Sequence, residues 1–565
     1  MRKFLPLLLV VALFWQCKPE PKKETTPPAE AESAAIEVKS DSIPFLWEAA
    51  NVYFLLTDRF NNGNPDNDTN FERDNPTGPL RGFMGGDIAG ITSKIETGYF
   101  DALGVNAIWF TPVVEQVHGD TDEGTGNTYG YHGYWTKDWT ALDPNFGTMK
   151  DLRRMVDAAH DRGIRVLMDV VINHTGPVTE EDPAWPEAWV RLSPTCDFQT
   201  YETTTSCTLV DNLPDIRTES DAGVELPDAL LAKWKQEGRL STELDELQLF
   251  FERTGYPRAP RFYIIKWLTD YVGDLGIDGF RVDTVKHADE KAWSELYTEA
   301  AIAFERWKKQ HQDKVLDDTP FYMVGEVYNY GISGGRSFDF GDQQVDYFDH
   351  GFKSLINFEL KYDAAQLSYD KIFSKYDGLL RKELSGKSVL NYLSSHDDGA
   401  PFDPNREMPM KAANVLMLTP GASQIYYGDE SSRSLVIDGT VGDATLRSFM
   451  NWEEIDSLES TQKTLEHWQK LGQFRAKHPA VGAGIHQRLS SKPYVFSRSL
   501  TGEGYRDKVA IGLDLPEGPK SLYVRGFFGN GTKLLDAYSG QEVVVENGRV
   551  ALDSPYTIAL LEVLP

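Results

Sequence analysis

The middle of the chain repeats one pattern, in which an amphipathic helical stripe ends near a glycine and a short run of β-branched and apolar residues follows. The first stripe has apolar residues at the helical spacing i, i+3, i+4 and i+7, after a possible cap at Thr148, and consists of Leu152, Met155, Val156 and Ala159. The runs that follow three such stripes are residues 164–171, 277–282 and 321–324, and further strand-like runs are 105–110, 389–393 and 424–427. This alternation predicts an α/β fold with a parallel sheet, and an eight-stranded (β/α)8 barrel is the economical form.

Two departures from the pattern divide the chain into parts. Residues 175–260 are too long for a strand-to-helix connection, so we expect an inserted irregular subdomain after the third strand, with a helix over 226–251. From residue 485 onward short alternating strands replace the helices, and Asn547-Gly548 suits a two-residue hairpin turn. We therefore predict a barrel formed by residues 45–174 and 261–484 and a C-terminal antiparallel β-sandwich over 485–565.

The N-terminus has the layout of an export signal. A basic start, Met1-Arg2-Lys3, precedes an apolar run too short to span a bilayer, and residues 1–17 are therefore predicted to be a signal peptide. Cys17 resembles the acylated cysteine of a bacterial lipoprotein, although an ordinary secreted leader remains the alternative. Residues 18–44 have too few large apolar side chains to fold and are predicted to be a disordered tether.

The two other cysteines, Cys196 and Cys207, lie close together in a Thr- and Ser-rich loop. In an oxidising compartment they can form a disulfide, and two free thiols are the alternative.

The charge balance limits the classes of partner. With 57 Lys and Arg against 86 Asp and Glu, the formal net charge is −29, which repels nucleic acid and anionic membrane surfaces. We expect no nucleic-acid partner, a membrane contact only through a lipid anchor, and a monomer. A neutral glycan is compatible with this charge.

Three carboxylates follow strand-like runs, although more than a hundred residues separate the first from the last. They are Asp283, Glu326 and Asp397. Because a barrel enzyme assembles its active site from the C-terminal ends of several strands, these three side chains are predicted to converge. The segments that carry them, Gly279-Phe280-Arg281-Val282-Asp283, Gly325-Glu326-Val327 and Ser395-His396-Asp397, resemble the motifs of the α-amylase family of glycoside hydrolases, and the resemblance runs from about residue 54 to 452.

The resemblance implies a role for each acid. Asp283 would be the nucleophile and Glu326 the acid/base of a retaining glycosidase, about 5 Å apart, and Asp397 would stabilise the distorted sugar. Physically, Arg281 two residues upstream would favour ionised Asp283, while that charge and partial burial would keep Glu326 protonated.

The same resemblance implies residues that contact the sugar. The segment Tyr131-His132-Gly133-Tyr134-Trp135 corresponds to one in which a Tyr stacks on the sugar and a His binds its hydroxyl. The implied substrate-binding residues are His132, Tyr134, Trp135, His174, Arg281, Lys286, His287 and His396. The pair Lys286-His287 is found in many α-amylases and favours hydrolysis of α-1,4-glucan.

Two calcium (Ca²⁺) sites are also implied. In the first, the side chains of Asn173 and Asp215 and the backbone oxygen of His287 would be ligands. The second would use a run of hard oxygen ligands around a tight turn, formed by Asn62, Asn64, Asn67, Asp68, Gly85 and Asp87.

The expected function is thus an exported or lipid-anchored enzyme that hydrolyses α-1,4 bonds in starch, glycogen or maltodextrins. A transglycosylase such as a cyclodextrin-forming enzyme is the close alternative, since it shares the intermediate on Asp283. A non-catalytic glycan-binding protein is the alternative from another class. Departures from the family pattern are Arg217, Asp398 and the length of the stretch 226–251.

Overall fold

The computed structural model describes residues 43–122, 124–502 and 504–564. The predicted signal peptide, Cys17 and nearly all of the predicted tether lie outside these residues. Within the described ranges, no helix combines the length and the apolar composition needed to cross a bilayer.

Eight parallel strands close into a barrel in which every strand pairs with the strands before and after it in the chain. The register is parallel throughout; Gly279, for example, lies beside Leu167 on one side and Tyr322 on the other. The predicted (β/α)8 barrel is confirmed. Its strands are β1 (Asn51–Leu55), β2 (Ala107–Phe110), β3 (Arg165–Val170), β4 (Gly279–Val282), β5 (Tyr322–Gly325), β6 (Ser354–Asn357), β7 (Ser388–Asn391) and β8 (Ala422–Tyr426).

Two helices around the barrel begin or end at capping residues. Thr148 and Asp151 form a reciprocal capping box at the start of Met149–His160, as the sequence indicates. Pro260 occupies the first turn of Pro260–Leu275, and Gly276 ends that helix in the left-handed conformation, with φ of 79°. The other helices of the barrel are Ile88–Glu96, Tyr99–Ala102, Glu290–Gln310, Leu360–Gln366, Tyr369–Arg381, Pro409–Leu418 and Glu459–Lys477.

Two barrel strands, β1 and β6, were not among the predicted runs. The connection before β6 contains only short elements, of which the 3-10 helix Tyr347–His350 is the last. No amphipathic helical pattern therefore precedes this strand in the sequence. β6 itself is four residues long and has polar ends, Ser354 and Asn357, both fully buried. Without a long helix before the strand or an apolar run within it, the pattern that identifies the other strands is absent here.

The segment between β3 and Pro260 packs over one side of the barrel. It contains the helix Tyr201–Thr205, the paired strands Val190–Arg191 and Asp215–Ile216, and a disulfide between Cys196 and Cys207. The predicted helical stretch 226–251 forms two helices, Asp228–Gln236 and Leu240–Thr254. Gly238, with φ of 75°, lies in the break between them.

The C-terminal part is the predicted antiparallel β-sandwich. Its strands are β9 (Ile485–Ser491), β10 (Tyr494–Gly502), β11 (Tyr505–Leu513), β12 (Gly518–Tyr523), β13 (Lys533–Asp536), β14 (Gln541–Val544), β15 (Arg549–Ser554) and β16 (Ala559–Val563). A six-stranded sheet in the order β9-β10-β11-β16-β13-β14 faces the β12-β15 ribbon across a core that includes Val495, Leu522 and Leu552.

The predicted hairpin at Asn547-Gly548 is only partly correct. Both residues have positive φ, and Glu546 and Arg549 exchange backbone hydrogen bonds, as a two-residue turn requires. However, β14 and β15 then pair with different partners, β13 and β12. The turn is therefore a corner between the two layers of the sandwich.

Candidate active site

The C-terminal ends of β4 and β5 carry two of the three predicted acids side by side. Asp283 is the first residue after β4, and Glu326 is the first residue after β5. Their strands are neighbours, with Val282 paired to Gly325. Asp397 lies in the loop that follows β7. Strand order thus brings together residues that are far apart in the chain.

One buried cation, Arg281, contacts three carboxylates at once. Its Nη1 atom lies 2.6 Å from Oδ1 of Asp283 and 3.0 Å from Oδ1 of Asp169, and its Nη2 atom lies 3.2 Å from Oε1 of Glu326. Its side chain is 1% exposed. Burial disfavours its charge, but the surrounding acids outweigh burial and raise the pKa of Arg281 well above its usual value. A fixed positive charge therefore lies at the base of the site.

The surroundings of Glu326 raise its pKa and so favour its protonated form. Burial, and then the negative charges of Asp283 and Asp397, raise its pKa well above the usual value, although Arg281 acts in the opposite direction. The backbone N–H of Thr284 donates to its Oε2 atom over 2.9 Å. A carboxylic acid that stays protonated near neutral pH can give its proton to a leaving oxygen.

The surroundings of Asp397 have the opposite effect and lower its pKa. Burial alone would raise its pKa, but His396 and Arg281, together with a hydrogen bond from Glu326, lower it. Its side chain is 30% exposed, more than that of Glu326 at 6%. The surroundings therefore shift the pKa values of Glu326 and Asp397 in opposite directions, and the acid whose ionised form is favoured, Asp397, is the more exposed of the two.

The adjacent acid, Asp398, does not belong to the site. It is buried in an ion pair with Lys361, and the hydroxyl of Tyr392 donates to it. Of the two consecutive acids after His396, Asp397 is therefore partly exposed at the site, whereas Asp398 is buried in the interior.

Asp169 was not among the predicted site residues, yet it is central to the geometry. It lies within β3, is 1% exposed, and accepts hydrogen bonds from Trp109 Nε1 (2.9 Å) and Tyr134 Oη (2.8 Å) as well as from Arg281. Burial raises its pKa. The available sequence signal was a lone carboxylate inside an otherwise apolar buried strand.

Tyr134 is the centre of a group of rings that borders the acids. It stacks on His396 with ring centroids 5.2 Å apart, and its backbone oxygen lies 3.1 Å from Nε2 of His174. Its N–H donates to Nδ1 of His132 over 3.1 Å. Burial lowers the pKa of all three histidines, to about 4 for His396, so they are neutral hydrogen-bonding groups at neutral pH.

Three other predicted substrate-binding residues lie next to these groups: the Trp135 ring contacts His132, and the charges of Glu326 and Asp283 act on Lys286 and His287, respectively. Trp135 is 5% exposed and belongs to a small apolar cluster with Val117 and Leu213. His287 is 4% exposed and is covered by the inserted segment, where its Nδ1 atom lies 3.2 Å from the oxygen of Thr204. Lys286 reaches toward Tyr328, with Nζ 3.3 Å from its backbone oxygen.

The first predicted calcium site has unsatisfied oxygens. Oδ1 of Asn173 and both carboxylate oxygens of Asp215 are buried without a hydrogen-bond partner in the described part of the chain. The two residues are held together because the N–H of Ile216 donates to the backbone oxygen of Asn173. Arg191 Nε is 2.9 Å from Oδ2 of Asp215. Buried hard oxygens without a hydrogen-bond partner fit a calcium ion, and Arg191 already offsets part of the charge of Asp215.

The second predicted site fits less well. Asp87 accepts from the N–H groups of Gly63, Asn64 and Gly90 and so caps the helix Ile88–Glu96. Asn62 Nδ2 donates to Asp68, and Gly85 is in the left-handed region. Among the residues that the structure describes, no group of three or more His, Cys, Asp or Glu side chains could hold a metal. The observation here that favours a cation is the buried, unpartnered Oδ1 of Asn67.

Comparison with known proteins agrees with this site. The family description "Alpha amylase, catalytic domain" matches residues 54–219. A periplasmic alpha-amylase of Escherichia coli (strain K12) is 38% identical over 534 residues, which cover 83% of this chain and 72% of that protein. A cyclomaltodextrin glucanotransferase of Thermoanaerobacterium thermosulfurigenes is 26% identical over 465 residues, covering 80% of this chain and 58% of that enzyme.

The fold is shared with a solved Anoxybacillus alpha-amylase, with a TM-score of 0.63 and 23% identity over 92% of this chain and all of that one. The 38% identity extends over most of both chains. We conclude that this chain belongs to the α-amylase family of glycoside hydrolases.

Proposed function

We propose that this enzyme is an exported, retaining α-glucan hydrolase that cleaves α-1,4 bonds inside starch, glycogen or maltodextrins. The observation that carries the proposal is the placement of two acids directly after neighbouring strands, with Arg281 bound to Asp283 and with burial and nearby negative charge raising the pKa of Glu326. A retaining glycosidase needs this pair, one acid to protonate the leaving oxygen and one carboxylate to attack.

In the first step, Glu326 gives its proton to the glycosidic oxygen, the bond from that oxygen to the anomeric carbon breaks, and a carboxylate oxygen of Asp283 bonds to that carbon. Oδ1 of Asp283 is bonded to Arg281, whereas Oδ2 has no hydrogen bond within the described ranges and is the oxygen we assign to the attack. The products are a shortened glucan and a glycosyl ester on Asp283.

In the second step, ionised Glu326 takes a proton from water as the water oxygen attacks the anomeric carbon and the ester bond breaks. Two inversions give a product with the original α configuration. Asp397, the most exposed of the three acids, is assigned to the sugar hydroxyls and the positive charge that develops on the ring.

A transglycosylase that uses a sugar hydroxyl in place of water is the second candidate. The similarity to cyclomaltodextrin glucanotransferases favours it, and both reactions share the first step. The competition between water and sugar in the second step distinguishes them.

We further propose that a calcium ion is held by Asn173 and Asp215, with the backbone oxygen of His287. When bound, it would supply charge compensation and a structural link, because Asn173 follows β3 whereas Asp215 belongs to the inserted segment. Export, a lipid anchor on Cys17 and a monomeric state complete the proposal. The periplasmic relative and the disulfide support export.

The test is product analysis of soluble starch incubated with the chain lacking residues 1–17, beside Asp283→Asn. Linear maltooligosaccharides of α configuration, absent with the variant, are expected. Cyclic or elongated products would instead identify a transglycosylase. No product with calcium present would overturn the proposal.

A further inference from the structure

A large cavity lies outside the catalytic site. It has a volume of about 630 Å³ and is enclosed by the paired strands Val114–Gln116 and Thr136–Leu142, the start of the inserted segment, and the helix Asp228–Gln236. None of the three catalytic acids lines it. Its size is within the range of small-molecule sites, roughly 300–1,000 Å³.

The cavity has a rigid aromatic wall. Trp185 is half-buried and is held edge to face by Trp139 and Trp189, with ring centroids 5.5 Å and 5.0 Å away. On another part of the wall, Phe71 stacks on His118 with centroids 3.7 Å apart. A wall that is already fixed by packing costs little entropy when a ligand binds.

Apart from Asp228 at the rim, the Asp, Glu and Lys side chains that line the cavity form ion pairs. Lys233 bridges Glu115 and Asp138, at 2.6 Å and 2.5 Å. Asp182 binds Lys137 and accepts from the N–H groups of His118 and Gly119. Since these charges are already compensated, an ionic ligand would gain little here, and the cavity suits a neutral one.

The rim offers free polar groups. Asp228 and Gln236 line the cavity from the first and last turns of their helix, are exposed, and have no hydrogen-bond partner in the described part of the protein. An aromatic platform surrounded by unused donors and acceptors matches a sugar, which has an apolar ring face and a polar edge.

The cavity is separate from the catalytic site. Val117 lines the cavity and belongs to the cluster that contains Trp135, and the Trp135 ring contacts His132, centroids 4.8 Å apart. Trp135 thus lies between the two sites.

We propose that this cavity is a second glucan-binding site, in which a glucose unit packs on Trp185 and its hydroxyls bind Asp228 and Gln236. The inference rests on the proposed function, since it takes the ligand to be a segment of the same polymer. A site of this kind holds long chains near the active site and has no effect on substrates too short to reach both.

The first test is binding of maltoheptaose, measured by calorimetry in the inactive Asp283→Asn background. Two classes of site are expected, and Trp185→Ala should remove one of them. Tyr556→Ala, which removes a partly exposed ring from the β-sandwich, is the matched control and should keep both. A single class of site in the Asp283→Asn background would overturn the inference.

The second test uses active enzyme. Trp185→Ala should raise KM for soluble starch about two- to tenfold, the size expected for loss of one ring contact, and leave kcat/KM for a chromogenic maltotrioside unchanged. Ala229→Trp, which fills the mouth of the cavity from an exposed helix position, should do the same without removing packing.

The outcomes separate this inference from the proposed function. If both variants keep the starch KM of the parent while the maltotrioside is cleaved, the second site is wrong and the hydrolase stands. If the parent cleaves neither substrate, the proposed function fails, and the calorimetric titration still decides whether the cavity binds glucan.

Discussion

The Nη1 atom of Arg281 lies 2.6 Å from Oδ1 of Asp283, which is two residues further along the chain and directly follows the strand that contains Arg281. Side chains at positions i and i+2 of a strand point to the same side, so the backbone of β4 itself aligns the cation with the acid. The same guanidinium also contacts Asp169 and Glu326 from the two neighbouring strands. One buried cation therefore organises acids from three strands.

Glu326→Gln removes the proton donor while keeping the side-chain shape. Starch hydrolysis should fall by roughly 10²–10⁴-fold, whereas a glucosyl fluoride, whose leaving group needs no proton, should lose much less. Steady-state rates on both substrates measure the difference, with exposed Glu546→Gln as control. Equal losses on the two substrates would remove Glu326 from the acid role.

Asp397→Asn should change the pH dependence of the reaction. Glu326 acts only when protonated, so activity is present below its pKa and is lost as pH rises through it. The charge of Asp397 helps to raise that pKa, and its removal should move the alkaline limb of residual kcat/KM to lower pH. Exposed Asp514→Asn should not move it. A limb that stays in place would mean that the two acids do not interact.

Lys361→Met breaks the buried pair with Asp398 and leaves one carboxylate unpaired. The free energy of unfolding should fall by about 3–5 kcal/mol, and Asp398→Asn added to it should recover part of the loss. Urea unfolding curves measure both variants. Lys463→Met, which removes an exposed partner of Glu459, should leave the midpoint unchanged. If Lys361→Met and Lys463→Met lower the free energy of unfolding by similarly small amounts, burial does not make the Lys361–Asp398 pair more important than an exposed pair.

Removal of calcium should lower the melting temperature. A chelator would leave the buried Oδ1 of Asn173 without a partner and the charge of Asp215 offset by Arg191 alone, and re-added calcium should restore the original value. Asp215→Asn should reduce this response, and any response that remains would report the second predicted site, for which Asp68→Asn is the test. A melting temperature that changes neither with chelator nor with added calcium would exclude both calcium sites.

His478 should make stability depend on pH where the barrel meets the β-sandwich. Its Nδ1 is 2.7 Å from Asp507 of β11 and its Nε2 is 2.5 Å from Glu562 of β16, while Lys477 also binds Glu562. Burial would lower the pKa of His478, but the two carboxylates raise it above 6.5.

A raised pKa stabilises the fold fully below the unfolded value near 6.5, and the contribution is lost as pH rises through the folded value. Denaturant midpoints should therefore fall between mildly acidic and alkaline pH, and the slope should be smaller in His478→Gln. The same slope in both proteins would assign the pH dependence to other groups.

The strongest sequence signals were local. One helix begins after Thr148 and another ends at Gly276, as expected, because caps and left-handed glycines act through the adjacent backbone. β6 escaped prediction since its buried ends are polar, and their partners, such as Asn391 for Asn357, come from another strand. Asp169 escaped for a related reason, because its role depends on Arg281, 112 residues away.

The sequence by itself determined the barrel and the identity of the acids, since periodicity and strand-end carboxylates depend only on neighbouring residues. The tertiary structure decided that the pKa of Glu326 is raised while that of Asp397 is lowered, that Asp397 is partly exposed while Asp398 is buried with Lys361, and that Trp135 and His287 are covered. Charge state and exposure depend on the field and packing of groups from distant segments, and these exist only once the chain is folded.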